Sequence, residues 1–214
     1  TYNKENELDF KEFYSRMRAG SMPTTSQVNS EEAKDVLRPL LEAGNDVLHL
    51  AFSSGLSGSY NSVRLAAEEL KEEYPDRKIL VVDSLCASLG EGLFVYKAVQ
   101  MKEAGASVDE VAAWLEEPSR RTADVRADYI GFTVDDLFHL YRGGRVSKAA
   151  AIVGTMINLK PLLHVDDEGH LIPLSKVRGR KKSLATLVSM MEERIGSWKD
   201  KNDIIFISHG DCEE

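Results

Sequence analysis

Two short stretches constrain the fold of this chain more than anything else in it. Residues 46–52 and 78–83 are continuous apolar runs, each passing into a polar loop that opens a helical pattern. Strands that are apolar on both faces and alternate with helices belong to a parallel sheet covered on both sides. After the loop 53–59, Val63, Ala66, Ala67 and Leu70 fall at helical spacing. After the second strand a helix is expected over 88–104, and Ser107 with Glu110 makes a capping box for another ending near Glu117.

Upstream, Phe10, Phe13, Tyr14 and Met17 mark an amphipathic helix over 8–18, started by Asp9 and ended by Gly20. A second helix is expected with Ser30 as its cap and Glu31 and Glu32 in its positive first turn. Ala33, Val36, Leu37, Leu40 and Leu41 form its buried stripe, and Pro39 predicts a kink.

Segment 118–126 turns polar and charged, which places a boundary between a first α/β domain, 1–122, and a second, 123–214. In the second, 129–134 reads as a strand, 135–141 and 147–156 as short helices, and 159–165 with 170–177 as a hairpin around 166–169. A long helix over 181–198 and a last strand over 203–208 follow. The fold class is α/β in two domains, the first with a mainly parallel sheet and the second with a mixed, partly antiparallel one. The chain starts at Thr1 rather than a methionine, and 212–214 follow a strand-like run at once, so the natural chain is expected to be longer.

A net charge of -8 argues against broad nucleic-acid binding, which needs a basic field to displace counterions from phosphates. No apolar run approaches the roughly 20 residues of a membrane-spanning helix, and nothing at the start resembles a signal peptide. A cytoplasmic location without stable membrane insertion is expected. Cys86 and Cys212 sit outside any metal-ligand spacing and read as reduced thiols.

In open parallel sheets ligands sit beyond the carboxyl ends of the strands. The loop 53–59 offers Ser53, Ser54, Ser57 and Ser59 with Gly55 and Gly58 at the start of a helix, where free amides favour a carboxylate or phosphate. A serine-rich cap and turn accounts for the same residues equally well. Thr24, Thr25, Ser26 and Gln27 form a second hydroxyl-rich loop, of a kind that usually only caps and turns. His209 follows the apolar run 204–207 and can donate to an anion, although a lone histidine is more often structural.

None of these residues makes a catalytic triad, and the G-x-S-x-G pattern is absent at 55–59. His164 and His170 with Asp166, Asp167 and Glu168 fit a polar hairpin turn better than a metal site. Two cationic clusters stand out in an acidic chain: Arg142, Arg145 and Lys148, and Lys176, Arg178, Arg180, Lys181 and Lys182. Arginine forks hold phosphate or carboxylate in a fixed orientation; a solvated surface is the competing reading.

Taken in order, TSQ at 25–27, SSGLSGSYNS at 53–62, DSLCASLGEG at 83–92, GGRVSKAAAIVGTMINLKPLLHVDDEG at 143–169, VRGRKK at 177–182 and ISHGD at 207–211 resemble the DegV family of bacterial fatty-acid-binding proteins. The resemblance spans essentially the whole chain. It implies two α/β domains with an apolar lipid tunnel between them, and a lipid carboxylate held by Thr25, Ser57 and His209, with Ser26, Ser53, Ser54 and Gly58 in the same loops. It also implies a carrier rather than an enzyme, without cofactor or metal. A separate ATP-using fatty acid kinase subunit would phosphorylate the bound acid and dock on Arg142, Arg145, Arg178 and Arg180. Val28 stands where the family usually has proline and Ser59 where it usually has threonine, and the family's first strand would precede Thr1.

Burying a tail of roughly 16 carbons contributes on the order of 10 kcal/mol before binding costs. Tight binding therefore needs no buried cation at the head group, and hydroxyl and imidazole donors leave one carboxylate oxygen free to attack phosphorus. The alternative is an enzyme acting on a small phosphorylated or carboxylated metabolite, with the serine loop as anion cradle and His209 as acid or base.

Overall fold

Strands β1 (Val47–Ala51) and β2 (Ile79–Asp83) pair in parallel, with Val47 opposite Ile79 and Ala51 opposite Asp83. The computed structural model describes residues 7–117, 131–135, 137–147, 158–195, 199–200 and 204–212. The expected boundary between 122 and 123 lies outside them. The chain separates into two compact units, Gln27–Phe206 and a smaller one of Thr1–Ser26 with Ile207–Glu214.

In the larger unit the two parallel strands are covered on both faces, as their uninterrupted apolar character requires. Ile79 and Val81 turn toward α2 (Ser30–Glu42) and α3 (Ser59–Glu73), joining Ala33, Leu37, Leu41, Val63, Ala66, Ala67 and Leu70. Leu80 and Val82 turn the other way, onto Phe94 of α4 (Leu89–Glu103) and Val111, Ala112 and Leu115 of α5 (Val108–Glu116). That alternation is the period of two of a pleated strand.

Two details of α2 correct the sequence expectation. Its cap is Asn29, not Ser30: the Asn29 side chain accepts from the Glu32 amide, and Glu32 accepts from the Asn29 amide in return. Only a residue three positions before the glutamate can close that reciprocal box, and the Ser30 hydroxyl is left buried without a partner. The buried stripe is also narrower than expected. Val36 is 67% exposed and Leu40 44%. Lys34 takes the place beside Ala33 and Leu37, its stem buried and its ammonium paired with Glu31 and Glu69.

The same unit holds an antiparallel sheet of β3 (Phe132–Thr133), β4 (Leu159–Val165) and β5 (Leu171–Arg178) in the order β3-β4-β5. Helix α6 (Leu137–Arg142) packs Leu137 with Leu163 and Val146, and α7 (Arg180–Ile195) follows β5. β3 pairs only with Leu162 and Leu163, so Pro161 lies beyond its ladder, where a missing amide is tolerated. The expected helix 147–156 falls outside the described residues apart from Ser147, and 129–130 of the expected strand also lie outside them.

The smaller unit contains α1 (Phe10–Arg18), capped by the Asp9 side chain on the Glu12 amide, together with the segment 207–212. Of the strand expected over 203–208, residue 203 lies outside the described residues and 204–208 carry no strand, with Ile205 and Ile207 52% and 82% exposed. An extended apolar run becomes a strand only when a neighbour supplies the ladder, and none pairs with it among the described residues. No helix of the described residues is long and apolar enough to cross a membrane.

His49 on β1 and His164 on β4 are both held below the ordinary histidine range, chiefly because burial penalises the imidazolium; Arg194 adds to the effect at His164. The unfolded chain therefore takes up these protons first as pH falls through about 6.5. Stability against urea should be flat above that point for these groups and should decline below it until the lowered folded-state values are passed. Replacing both histidines with glutamine should flatten the decline between pH 7.5 and 5.5, as read from urea midpoints.

Candidate functional site

The loop after β1 is built by its serines. Ser53 is fully buried, and its hydroxyl donates to the Gly169 carbonyl at 2.8 Å while accepting from the Gly55 amide at 3.2 Å. The Ser53 carbonyl accepts from the Leu56 and Ser57 amides, each at 3.1 Å, forming the tight turn before α3. The Ser57 and Ser59 hydroxyls are 3.0 Å apart, and the Ser59 amide donates to the Ser57 hydroxyl at 3.2 Å.

This loop is tied to two others. Asp83, at the end of β2, accepts from the Ser54 amide at 3.2 Å and from the Leu85 amide at 3.0 Å, and the Ser53 amide donates to the Cys86 carbonyl at 2.9 Å. On the other side, the Val28 amide donates to the Ser59 hydroxyl at 3.2 Å. A Cβ on Gly58 would lie 2.1 Å from the Gln27 side-chain oxygen, so glycine there is what lets Gln27 approach.

Helices α3 and α4 begin at the carboxyl ends of β1 and β2, and neither start is closed by a side-chain cap: Gly58 and Ser88 make no capping hydrogen bond. In contrast, α2 and α5 carry complete capping boxes. An open helix start presents amide donors and the positive end of the helix dipole, which suits an anionic oxygen. Glu91 in the first turn of α4 is half-buried, and burial raises its carboxyl above the usual range.

Of the residues singled out in the sequence, Ser53, Ser54, Ser57 and Gly58 share this loop with bonds to Asp83, Val28 and Gly169. Thr25, Ser26 and His209 belong to the smaller unit and are exposed. His209 Nδ1 accepts from the Cys212 amide at 3.3 Å, and its ring meets Phe10 edge-on with centroids 6.2 Å apart. The basic turn after α6 is a helix stop: the Gly144 amide donates to Tyr141 O and the Arg145 amide to Leu140 O, the paired bonds of a Schellman motif. Arg142 ends α6, Arg178 ends β5 and Arg180 begins α7. Asp135 is held below the carboxylate range by Lys160 first and by Arg180 as well.

Asp166, Glu168 and His170 have ligand atoms within 4.8 Å of one another. The Asp166 carboxylate already accepts from the Glu168 amide at 3.1 Å and the His170 amide at 2.8 Å, so the turn accounts for it. A depression of about 370 Å³ lined by Lys71, Leu80, Asp109 and Glu116 contains none of the candidate residues. Two participants escaped the sequence reading, Asp83 and Gly169. Gly169 has φ +80, and a Cβ on it would meet the Ser53 hydroxyl at 2.1 Å. Its Asp-Asp-Glu-Gly context signals a hairpin turn but not what the turn touches.

The model of the DegV family, described as uncharacterised, matches residues 1–214. A DegV domain-containing protein of Clostridium perfringens is 46% identical over 212 residues, 99% of this chain and 70% of its own. Among solved structures, a fatty-acid-binding DegV family protein from Thermus thermophilus is 35% identical with a TM-score of 0.73, over 92% of this chain and 66% of its own. The fatty acid kinase B3 protein of Streptococcus pneumoniae, loaded with linoleic acid, is 26% identical with a TM-score of 0.73, over 88% and 64%. The chain thus spans between 64% and 70% of the length of these relatives.

Removing the Ser53 hydroxyl leaves the Gly169 carbonyl and the Gly55 amide without that partner in a dry site. Ser53→Ala should cost about 1–3 kcal/mol by urea denaturation. Gly169→Ala adds a left-handed alanine, roughly 1–2 kcal/mol, to the clash with the Ser53 hydroxyl. It should lower the midpoint at least as far; an unchanged midpoint in both variants would sink this account of the loop.

Proposed function

The chain is a member of the DegV family, and from that premise we propose that it binds a long-chain fatty acid by its carboxylate and presents the acid to a separate ATP-using kinase subunit. The observation that carries the reading is the start of α3. Its N-cap residue is Gly58, which has no side chain to close the first turn, it has the Ser57 and Ser59 hydroxyls 3.0 Å apart beside it, and it lies at the carboxyl end of a parallel strand. Solved relatives give the ligand class: the Thermus thermophilus protein is named for fatty-acid binding, and the Streptococcus pneumoniae protein holds linoleic acid.

In this reading Ser57 donates to the carboxylate while the first-turn amides of α3 stabilise its charge. Ser53 shapes the loop through Gly169 and Gly55, the Ser54 amide ties it to Asp83, and Gly58 lets Gln27 approach the start of α3. Thr25, Ser26 and His209 are the further carboxylate donors that the family resemblance implies. Neutral donors orient a carboxylate without a bidentate cation, so one oxygen keeps its nucleophilicity for attack on the γ-phosphorus of ATP held by the partner. The chain is then the carrier and the partner the phosphotransferase. Arg142, Arg145, Arg178 and Arg180 supply a cationic docking surface on an otherwise acidic chain.

Denaturing extraction and mass spectrometry of the purified protein should return stoichiometric fatty acid, against an unrelated control from the same cells. Thr25→Ala and His209→Ala should each slow kinase-dependent phosphorylation of the acid by about ten-fold or more, the equivalent of a hydrogen bond to a charged group. Full turnover in both variants would remove these residues from the head-group site. Arg145→Glu combined with Arg178→Glu should weaken kinase binding most at low ionic strength, where steering by charge is least screened.

A further inference from the structure

His209 cannot serve as a donor unless its ring presents a protonated nitrogen to the ligand, and we propose that the Arg18–Asp211 pair is the device that positions it. The inference rests on the carboxylate-binding reading above. Arg18, the last residue of α1, donates through one guanidinium nitrogen to the Asp211 carboxylate and through the other to the Asp211 carbonyl at 3.0 Å. The Asp211 side chain is only 17% exposed, and its φ of +55 lies in the left-handed region. Aspartate is one of the few non-glycine residues that visits that region without a large penalty.

The left-handed step at Asp211 turns the chain so that the Cys212 amide points back at His209 and donates to Nδ1 at 3.3 Å. The loop is backed by α1: Phe10 meets the imidazole edge-on, and Gly210 lies so close to Tyr14 that a Cβ would come within 2.8 Å of its hydroxyl. A ring nitrogen that accepts an N–H carries a lone pair, so the neutral imidazole has its proton on Nε2. A carboxylate only accepts, and the clamp therefore leaves His209 in the one neutral form that donates from the nitrogen away from the loop. Arg18 is itself occupied: both terminal nitrogens of its fork are on Asp211, which makes it a positioning residue and not a carboxylate ligand. The pair is neutral in sum, so it orients the histidine without adding a cation beside the head group.

The test is a double-mutant cycle on the full chain with stearate as the probe, combining Arg18→Gln with His209→Ala, and with Arg16→Gln as a control on the same helix. Arg18→Gln is expected to weaken stearate binding up to about ten-fold in the wild-type background, as loss of a charged hydrogen bond would. In the His209→Ala background it is expected to have no further effect. Long-range proton–nitrogen correlation spectra above pH 8 should show His209 protonated on Nε2 alone in the wild type and gaining the Nδ1-protonated form in Arg18→Gln. Should Arg18→Gln fold poorly, Asp211→Asn keeps a residue tolerant of the left-handed turn while removing the ion pair, and the same two readouts apply. Equal losses in both backgrounds, or an unchanged ring-nitrogen spectrum, would overturn the clamp. If His209→Ala binds stearate as tightly as wild type, the head-group role of His209 fails, and the spectrum alone still decides whether Arg18 and Asp211 set the tautomer.

Discussion

The buried hydrogen bond from the Ser53 hydroxyl to the Gly169 carbonyl ties the two sheets of the larger unit together at their loops. It joins the loop that leaves the parallel sheet to the turn of the antiparallel hairpin, across a sequence separation of 116 residues. A hydroxyl and a carbonyl taken out of water tolerate no alternative once packed, because either group left alone bears its full desolvation cost. The left-handed φ of Gly169 and the absence of a side chain there are what bring its carbonyl into range. Everything the loop does next, including the turn into α3 and the bonds to Asp83 and Cys86, hangs from that fixed point.

The helices divide into those finished by their own side chains and those left open. α2 and α5 close their first turns with reciprocal side-chain bonds; α5 starts beside Lys78 at the amino end of β2, and the chain entering α2 reaches Ser59 through the Val28 amide. α3 and α4 start at the carboxyl ends of β1 and β2, and their N-cap residues, Gly58 and Ser88, make no side-chain capping bond. A capping box satisfies the same amides that an anion would, so the two arrangements are chemically exclusive. The open starts cost some intrinsic helix stability, which the apolar faces of Val63, Ala66, Ala67 and Leu70 offset for α3.

The smaller unit solves a different problem, orienting one exposed histidine with few contacts. Its helix α1 has no fully buried residue, yet Arg18, Phe10 and Tyr14 all engage the 209–211 segment. Geometry at such a site comes from directional bonds and edge-on rings more than from burial. A short segment with left-handed Asp211 is held where apolar packing alone would leave it free to turn.

Local chemistry made most of the elements legible in the sequence: both parallel strands, the Ser107–Glu110 capping box and the β4–β5 hairpin follow from period, cap and turn residues acting within a few positions of one another. The loops of the proposed site stood out in the sequence because their family motifs are contiguous. What local pattern could not decide was which partner each element meets. Val36 and Leu40 look as apolar as Leu37 but face outward, since the arc of α2 that is buried is set by where α3 lies. Residues 204–208 look like a strand, but hydrogen-bond pairing belongs to two segments and not to one. Asp83 and Gly169 stand at the ends of motifs that do not say what they touch, and Arg18 lies in none. Their roles come from contacts with residues dozens to nearly two hundred positions away, and a one-dimensional pattern contains no term for such distances.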